Sequence, residues 1–448
     1  MSNKNEGIFD ARKLGSGKML VLGLQHMFAM FGATVLVPII TGLSVSSTLL
    51  FAGIGTLLFH ILTKGKIPAF LGSSFAFLGG YAAVSLLCDQ NGIDNFSAYA
   101  GVGVAVAGLI YVVLSILFKV FGPQKVMRFF PPIVTGPIII AIGLTLSSSA
   151  ITNCSANWWL AMVAVAVIIA CNIWGKGMVK IIPILIGVIV SYLVAAVTGN
   201  VDFTTVKEAA WIGLPVVWHN TAFSLIGDAG TNSSVIITSI ITIAPIAIAT
   251  IIEHIGDVCA ISSTVERNYI QDPGLHRTLL GDGLATSLAA LFGAPANTTY
   301  GENTGVLALT RVYDPRVIRI AAYFAILLSF SPKFAAIINS LPTAVIGGVS
   351  MVLYGMISAV GVRNVVENKV DFTKSRNVII AALILVLSIG INYSEAGAIS
   401  FTVGSATISL TGLAVAALVG IILNAVLPGK DYEFGKDLQG DTSVNFEV

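Results

Sequence analysis

The chain has 448 residues, 56% of them hydrophobic and only 10% charged, with a formal net charge of +2. Soluble proteins carry about 25% charged residues, so an ordinary water-soluble domain is excluded, and so small a net charge argues against a nucleic-acid partner. The four cysteines, Cys88, Cys154, Cys171 and Cys259, show neither CxxC nor Cys/His spacing, so no metal centre, disulfide framework or cofactor is expected.

The apolar residues fall into fourteen segments, near 18–40, 47–63, 67–87, 99–121, 131–150, 157–174, 179–199, 231–261, 276–294, 298–312, 317–332, 342–361, 374–391 and 406–427. Segments of this length and polarity read as membrane spans. The expected fold is therefore an all-α polytopic protein of the cell membrane. The first dozen residues are polar and the first apolar stretch is too long for an h-region, so no cleavable leader is expected. With the N-terminus in the cytoplasm and alternating crossings, 22 of the 24 Lys and Arg residues fall inside and only Lys207 and Lys333 outside. The positive-inside rule demands such an asymmetry, and the even count puts both termini in the cytoplasm. The one sizeable polar stretch outside, 200–230, carries Trp211, Trp218 and His219, which suit a membrane interface.

The chain also repeats. Gln25-His26 is echoed by Glu253-His254 at an offset of 228, and Gly53-Ile54-Gly55 by Gly281-Asp282-Gly283 at the same offset. Ser73–Ala76 is echoed by Thr298–Gly301 at an offset of 225, and Pro131 and Gly136 by Pro342 and Gly347 at 211. Seven spans per half is an odd number, so the second half must be inverted. Inverted repeats with helices broken at matching positions point to a secondary transporter whose site lies where the breaks meet.

The chemistry concentrates at those breaks. Glu302 stands among Thr298, Thr299, Tyr300, Gly301 and Asn303 in an otherwise apolar segment, and an intramembrane carboxylate marks a functional site by default. A wet loop between two spans is the plainer reading of the same residues. Glu253 and Asp257 are four apart on the eighth span, one turn apart on one helix face, beside His254. Solvation of a watery vestibule is the plain alternative; a shared proton is the functional one, because close buried carboxylates cannot all ionise. Ser74 and Phe75 at one break and Tyr300 and Gly301 at the other would offer amides and aromatic faces to a flat heterocycle. Tyr354, in the twelfth span, could close the pocket. His26 serves a structural bond or a proton equally well, and Asp282 serves as a cap or a structural partner.

Glu302-Asn303-x-Gly305-x4-Thr310-Arg311 resembles the signature of the nucleobase–ascorbate transporter family. Gln25-His26-x-Phe28-Ala29-Met30-Phe31-Gly32, Leu71-Gly72-Ser73-Ser74-Phe75 and Asp272-Pro273-Gly274-Leu275-His276-Arg277 resemble its bacterial uracil permease branch. The resemblance covers nearly the whole chain. It implies fourteen spans, with short strands in the third and tenth. It implies a core domain (18–122 and 229–335) and a gate domain (123–228 and 336–428), with cytoplasmic tails 1–17 and 429–448. It implies proton-coupled import of uracil by alternating access. By resemblance, Glu253 and Glu302 bind the base edge, amides near Ser74, Phe75 and Gly301 reach its oxygens, and Tyr300 and Tyr354 line the site. Glu253, Asp257, Glu302 and His254 are then the candidates for proton coupling. A homodimer through the gate domains stays open, with lipid as the surroundings. One departure matters: uracil permeases resemble this chain but carry His at the position of Asp257. Purine-transporting relatives often have Asp there, with Gln in place of Glu302. A xanthine-type symporter and an uncoupled facilitator are the alternatives. An anion exchanger on the same architecture is disfavoured, because three acidic groups in the pocket would repel an anion, and a membrane enzyme has no nucleophile elbow or metal motif here.

Overall fold

The computed structural model describes residues 7–227, 230–403, 406–430 and 432; the side chains of 302, 402, 403 and 406–409 lie outside the description. The first half runs α1 (Ser16–Thr41), α2 (Val45–Leu62), β1 (Leu71–Ser73), α3 (Leu78–Gln90) and α4 (Phe96–Phe121). It continues with short α5 (Pro123–Met127), then α6 (Pro132–Ser155), α7 (Trp158–Trp174), short α8 (Met178–Ile181) and α9 (Pro183–Val197). Short α10 (Thr204–Glu208) leads into the second half: α11 (Ser233–Ile243), α12 (Ala247–Val265), α13 (Leu275–Leu291), β2 (Asn297–Thr299) and α14 (Gly301–Thr310). Then follow α15 (Pro315–Ser329), α16 (Pro332–Asn339), α17 (Thr343–Glu367), α18 (Ser375–Asn392), β3 (Ala398–Val403), β4 (Ala406–Thr411) and α19 (Gly412–Val426).

Local sequence explains many of the boundaries. Asn95, Asn157, Asn232 and Asp314 each cap a helix start by accepting a first-turn N–H, as side-chain oxygens at this position do. Prolines 132, 183, 315 and 332 open helices, where a missing N–H costs nothing. Pro245 separates α11 from α12 through a single 3-10 turn.

Among the described residues, seven helices are long and apolar enough to cross a membrane alone, or eight with the bent pair α15 and α16 counted as one. Four shorter apolar helices, Phe75–Gln90, Trp158–Trp174, Pro183–Val197 and Gly412–Val426, stand beside them. This is a mostly helical polytopic membrane protein. Two features depart from the sequence expectation. Residues 333–339, expected as part of a connection, belong to α16 (Pro332–Asn339), which turns 89° from α15 because Ser331 caps it and Pro332 begins it anew. The last expected segment opens as strand: β3 pairs antiparallel with β4 from Ala398↔Thr411 to Val403↔Ala406, and α19 starts only at Gly412. β-branched residues recur through 398–411, and such residues favour strand.

Packing follows the repeat. The α2 helix lies along α15 and α4 along α13; α7 pairs with α9 and α18 with α19; α6 and α17 form the central pair. Close approach is set by glycine. A Cβ on Gly108 of α4 would stand 2.5 Å from the Gly283 carbonyl of α13, and one on Gly283 would stand 2.6 Å from the Gly108 carbonyl. Small residues let helix backbones meet where apolar surface alone gives no drive toward association. The apolar core forms two large clusters, one around Tyr111, Ile138, Ile252 and Leu279, the other around Met30, Leu49, Ile318 and Leu353.

Arg277 donates to the Leu62 carbonyl at 3.1 Å and Lys66 pairs with Asp272. Lys333 donates to the Lys207 carbonyl at 3.2 Å. The two lysines that the charge tally sets apart from all others therefore stand together.

The strands β1 and β2 cross at the centre, antiparallel, with Leu71↔Thr299, Gly72↔Thr298 and Ser73↔Asn297 in register. A Cβ on Gly72 would stand 2.6 Å from the Thr34 hydroxyl and 2.6 Å from the Tyr300 ring. Gly72→Ala is expected to cost about 1–3 kcal/mol, the usual penalty for overpacking, read as a lowered melting midpoint in detergent. A midpoint equal to the parent's would mean that the crossing tolerates the methyl.

Candidate functional site

Each strand is tied in the same way from its own half. Thr56 of α2 donates to the Leu71 carbonyl at 3.3 Å, and Thr286 of α13 to the Asn297 carbonyl at 2.9 Å. Just outside the paired residues, Tyr300 N–H donates to Phe70 O at 3.0 Å and Ser74 N–H to Ala296 O at 2.8 Å. These two bonds map onto each other at an offset of 226, one residue more than the sequence echo of 225 suggests. A short strand tolerates that slip because its sequence signal is only four residues long.

Each strand ends at a helix start. Ser74 precedes the 3-10 turn Phe75–Phe77 that runs into α3, and Tyr300 precedes α14; neither has a side-chain cap. First-turn N–H groups have no partner within their own helix, and helix starts carry partial positive charge. Two such starts from opposite halves therefore converge on one region.

Helix α12 supplies the carboxylates. Thr299 of β2 donates its hydroxyl to Asp257 Oδ2 at 2.9 Å. Asp257 Oδ1 is 3.5 Å from where a Cβ on Gly301 would stand, so this carboxylate lies beside the start of α14. Glu253, a turn earlier, is half-buried. His254 faces away into the protein, fully buried, with Nδ1 2.9 Å from Asp282 Oδ2 of α13 and 3.4 Å from the Thr299 hydroxyl. Removing either member leaves a buried polar atom of the other without its partner, at about 1–3 kcal/mol.

On the other side, the Phe75 ring meets Tyr354 of α17 edge-on, ring centroids 6.0 Å apart at 74°. Tyr300 turns back over β1 and donates its hydroxyl to the Ser73 carbonyl at 2.7 Å. Its ring is spent on bracing the crossing, so Tyr300 faces the site through its backbone. His26 is fully buried, and Asn303 Nδ2 reaches both its Nδ1 at 3.2 Å and its carbonyl at 3.1 Å, holding α14 to α1. Position 302 is the second residue of α14; the side chain of Glu302 lies outside the described residues.

A family model described as "Permease family" matches residues 17–397. The uracil permease of Bacillus caldolyticus is 41% identical over 92% of this chain and 93% of its own length. That of Bacillus subtilis (strain 168) is 40% identical over 95% of each, and that of Escherichia coli (strain K12) 38% over 90% of each. The chain belongs to the nucleobase–ascorbate transporter family. It is a multi-pass membrane permease and not an enzyme. Among solved structures, the transmembrane domain of a cyanobacterial bicarbonate transporter, BicA, is similar with a TM-score of 0.59 at 16% identity, covering 94% of this chain and 99% of that one. Murine Slc26a9, an anion transporter in the inward-facing state, is similar with a TM-score of 0.66 at 10% identity, over 95% and 69%. At such identities the likeness speaks for the fold alone.

The permease thus brings Ser74, Phe75, Tyr300, Gly301, Asp257 and Tyr354 toward one strand crossing. Sequence reading gave Thr299 no role beyond breaking a helix, yet its hydroxyl joins β2 to both Asp257 and His254. Its place in the Thr298-Thr299-Tyr300 break was the available signal. Among the described residues no three His, Cys, Asp or Glu side chains form a metal-holding group.

Proposed function

We propose that this permease imports uracil, coupled to protons, by alternating access. The observation that carries the reading is the meeting of two uncapped helix starts with the Asp257 carboxylate of α12 at the β1–β2 crossing. Uracil is flat and neutral and presents alternating N–H donors and carbonyl acceptors along its edge. Carboxylates at Glu253 and Glu302 take the N–H groups, and amides following Ser74 and Tyr300 donate to the carbonyl oxygens. Phe75 covers one face of the base, and Tyr354 supports Phe75 from the α17 side. The uracil permease names of relatives at about 40% identity support the choice of base.

In this reading the chain makes fourteen crossings, in two inverted repeats of seven. Residues 18–122 and 229–335 form the moving core; 123–228 and 336–428 form the gate. Both termini are cytoplasmic. The packing of α2 on α15 and α4 on α13 supports the repeat, and the charge tally supports the orientation. Coupling rests on Glu253 and Asp257 of α12, with His254 beside them in the sequence, and on Glu302 as the second residue of α14. A proton held by this group of carboxylates completes the donor–acceptor pattern that uracil needs. Proton and base therefore favour each other's binding.

Uptake of labelled uracil and xanthine, in cells lacking their own carriers, tests the substrate. Saturable uracil uptake that excess xanthine leaves largely intact is expected. Xanthine competing better than uracil itself would move the permease to the purine branch.

A further inference from the structure

The residues just before α1 form a strap across the ends of two site helices. Ile8 bridges in parallel to Val312: its N–H donates to Arg311 O at 2.8 Å, and its carbonyl accepts from Tyr313 N–H at 2.8 Å. Ala11 N–H donates to Asp314 Oδ2 at 2.8 Å. Arg316 Nη1 joins Asp10 at 2.9 Å to Asp314 at 3.2 Å, and Arg12 Nε holds the same Asp10 at 2.8 Å. The Phe9 ring lies against Tyr313, centroids 5.4 Å apart, with the Arg267 guanidinium 3.7 Å above it. Ala11 of the strap is buried against Val312 and Val317.

Arg267 lies two residues past the end of α12, after Glu266, and Arg311–Asp314 follow on the end of α14. Both helices stop at a non-glycine residue in the left-handed region, Glu266 at φ 56° and Arg311 at φ 52°. Such stops are uncommon for non-glycine residues, and the strap contacts the residues beside both. Asp257 and Glu302 each sit eight residues upstream of their helix's last residue, Val265 and Thr310, about 12 Å along the axis. The helices α12 and α14 also touch each other. A shift at the strapped ends therefore reaches both carboxylate positions over equal lengths of rigid helix.

We propose that residues 8–11 are a strap that sets the spacing of α12 and α14, with Phe9 and Asp10 as positioning residues for the base site. Hydrogen bonding from Arg12 lowers the Asp10 carboxyl to about 2, so the pairs of Asp10 with Arg12 and Arg316 weaken only as pH falls toward that value. The effect on substrate rests on the reading that α12 and α14 hold the base; the spacing itself is measurable without any ligand.

The experiment places nitroxide labels at Ser263→Cys and Leu309→Cys in full-length protein with the native cysteines replaced by alanine, and records the distance distribution by pulsed electron spin resonance. Uracil affinity is measured in parallel in detergent. Phe9→Ala and Asp10→Asn are each expected to broaden the distribution and to weaken uracil binding by about tenfold, a change of roughly 1.4 kcal/mol, with the melting midpoint near the parent's. Phe9→Tyr, which keeps an aromatic face under Arg267, is expected to restore both. Broadening in a protein whose parent binds no uracil would leave the strap standing and remove the substrate reading. Parental distance distributions and parental affinity in both Phe9→Ala and Asp10→Asn would overturn the strap.

Discussion

Glu253→Gln and Glu302→Gln are each expected to abolish concentrative uracil uptake. Both residues take N–H donors of the base in the account above, one from a half-buried position on α12 and one from the second residue of α14. A glutamine keeps the shape but can neither carry the negative charge that strengthens such a bond nor take up a proton. A hydrogen bond to a charged group contributes about 1.5–3 kcal/mol, so loss of one predicts roughly 10- to 100-fold weaker binding. Loss of proton exchange removes accumulation even when substrate is raised to saturation. Uptake in cells and equilibrium binding in detergent, on variants with a parental melting midpoint, separate the two effects. Either variant accumulating uracil at the parental rate would remove that carboxylate from the site.

Asp257→Asn is expected to divide binding from coupling. Asp257 accepts the Thr299 hydroxyl at 2.9 Å, and an asparagine oxygen can accept the same bond, so the start of α14 keeps its place. Uracil affinity should stay within about tenfold of the parent, roughly 1.4 kcal/mol. The amide cannot take a proton, so uptake should lose its response to external acid. Energetics favour coupling here: moving one uncompensated charge across the bilayer costs about 2.3 kcal/mol per 100 mV, which a neutral, proton-loaded site avoids. Purified variant assayed for binding and for transport at several external pH values reads both quantities from one preparation.

Much of this was legible in the chain. Apolar length located the long helices, because in hydrocarbon only a closed backbone pattern survives. The polar breaks at Ser73–Ala76 and Thr298–Gly301 stood out since they interrupt those runs with residues that favour neither helix nor hydrocarbon. The spacing of Glu253 and Asp257 gave their shared face directly. Other features depend on partners remote in sequence and could not be read. His254 and Asp282 are on separate helices, and only packing brings their side chains to 2.9 Å. Tyr300 looked like a stacking surface, but its hydroxyl donates to the Ser73 carbonyl and its ring lies over β1 where Gly72 has no Cβ to block it. The β3–β4 pair was hidden within and before an expected helix because apolar β-branched residues suit either state until a pairing partner is known. The strap depends on residues 8–11 meeting residues 311–316, some 300 positions away, and nothing local in Gly7-Ile8-Phe9-Asp10 announces it.

The central claim is that proton flow drives uracil through the β1–β2 crossing. It is tested most directly with purified protein in sealed proteoliposomes, measuring labelled uracil inside with and without an imposed inside-alkaline pH gradient. The account predicts uracil accumulating above its external concentration while the gradient lasts, mere equilibration without it, and gradient-independent uptake in Asp257→Asn. Parental uptake that ignores the gradient, or an Asp257→Asn variant that binds no uracil yet keeps its proton dependence, would contradict it.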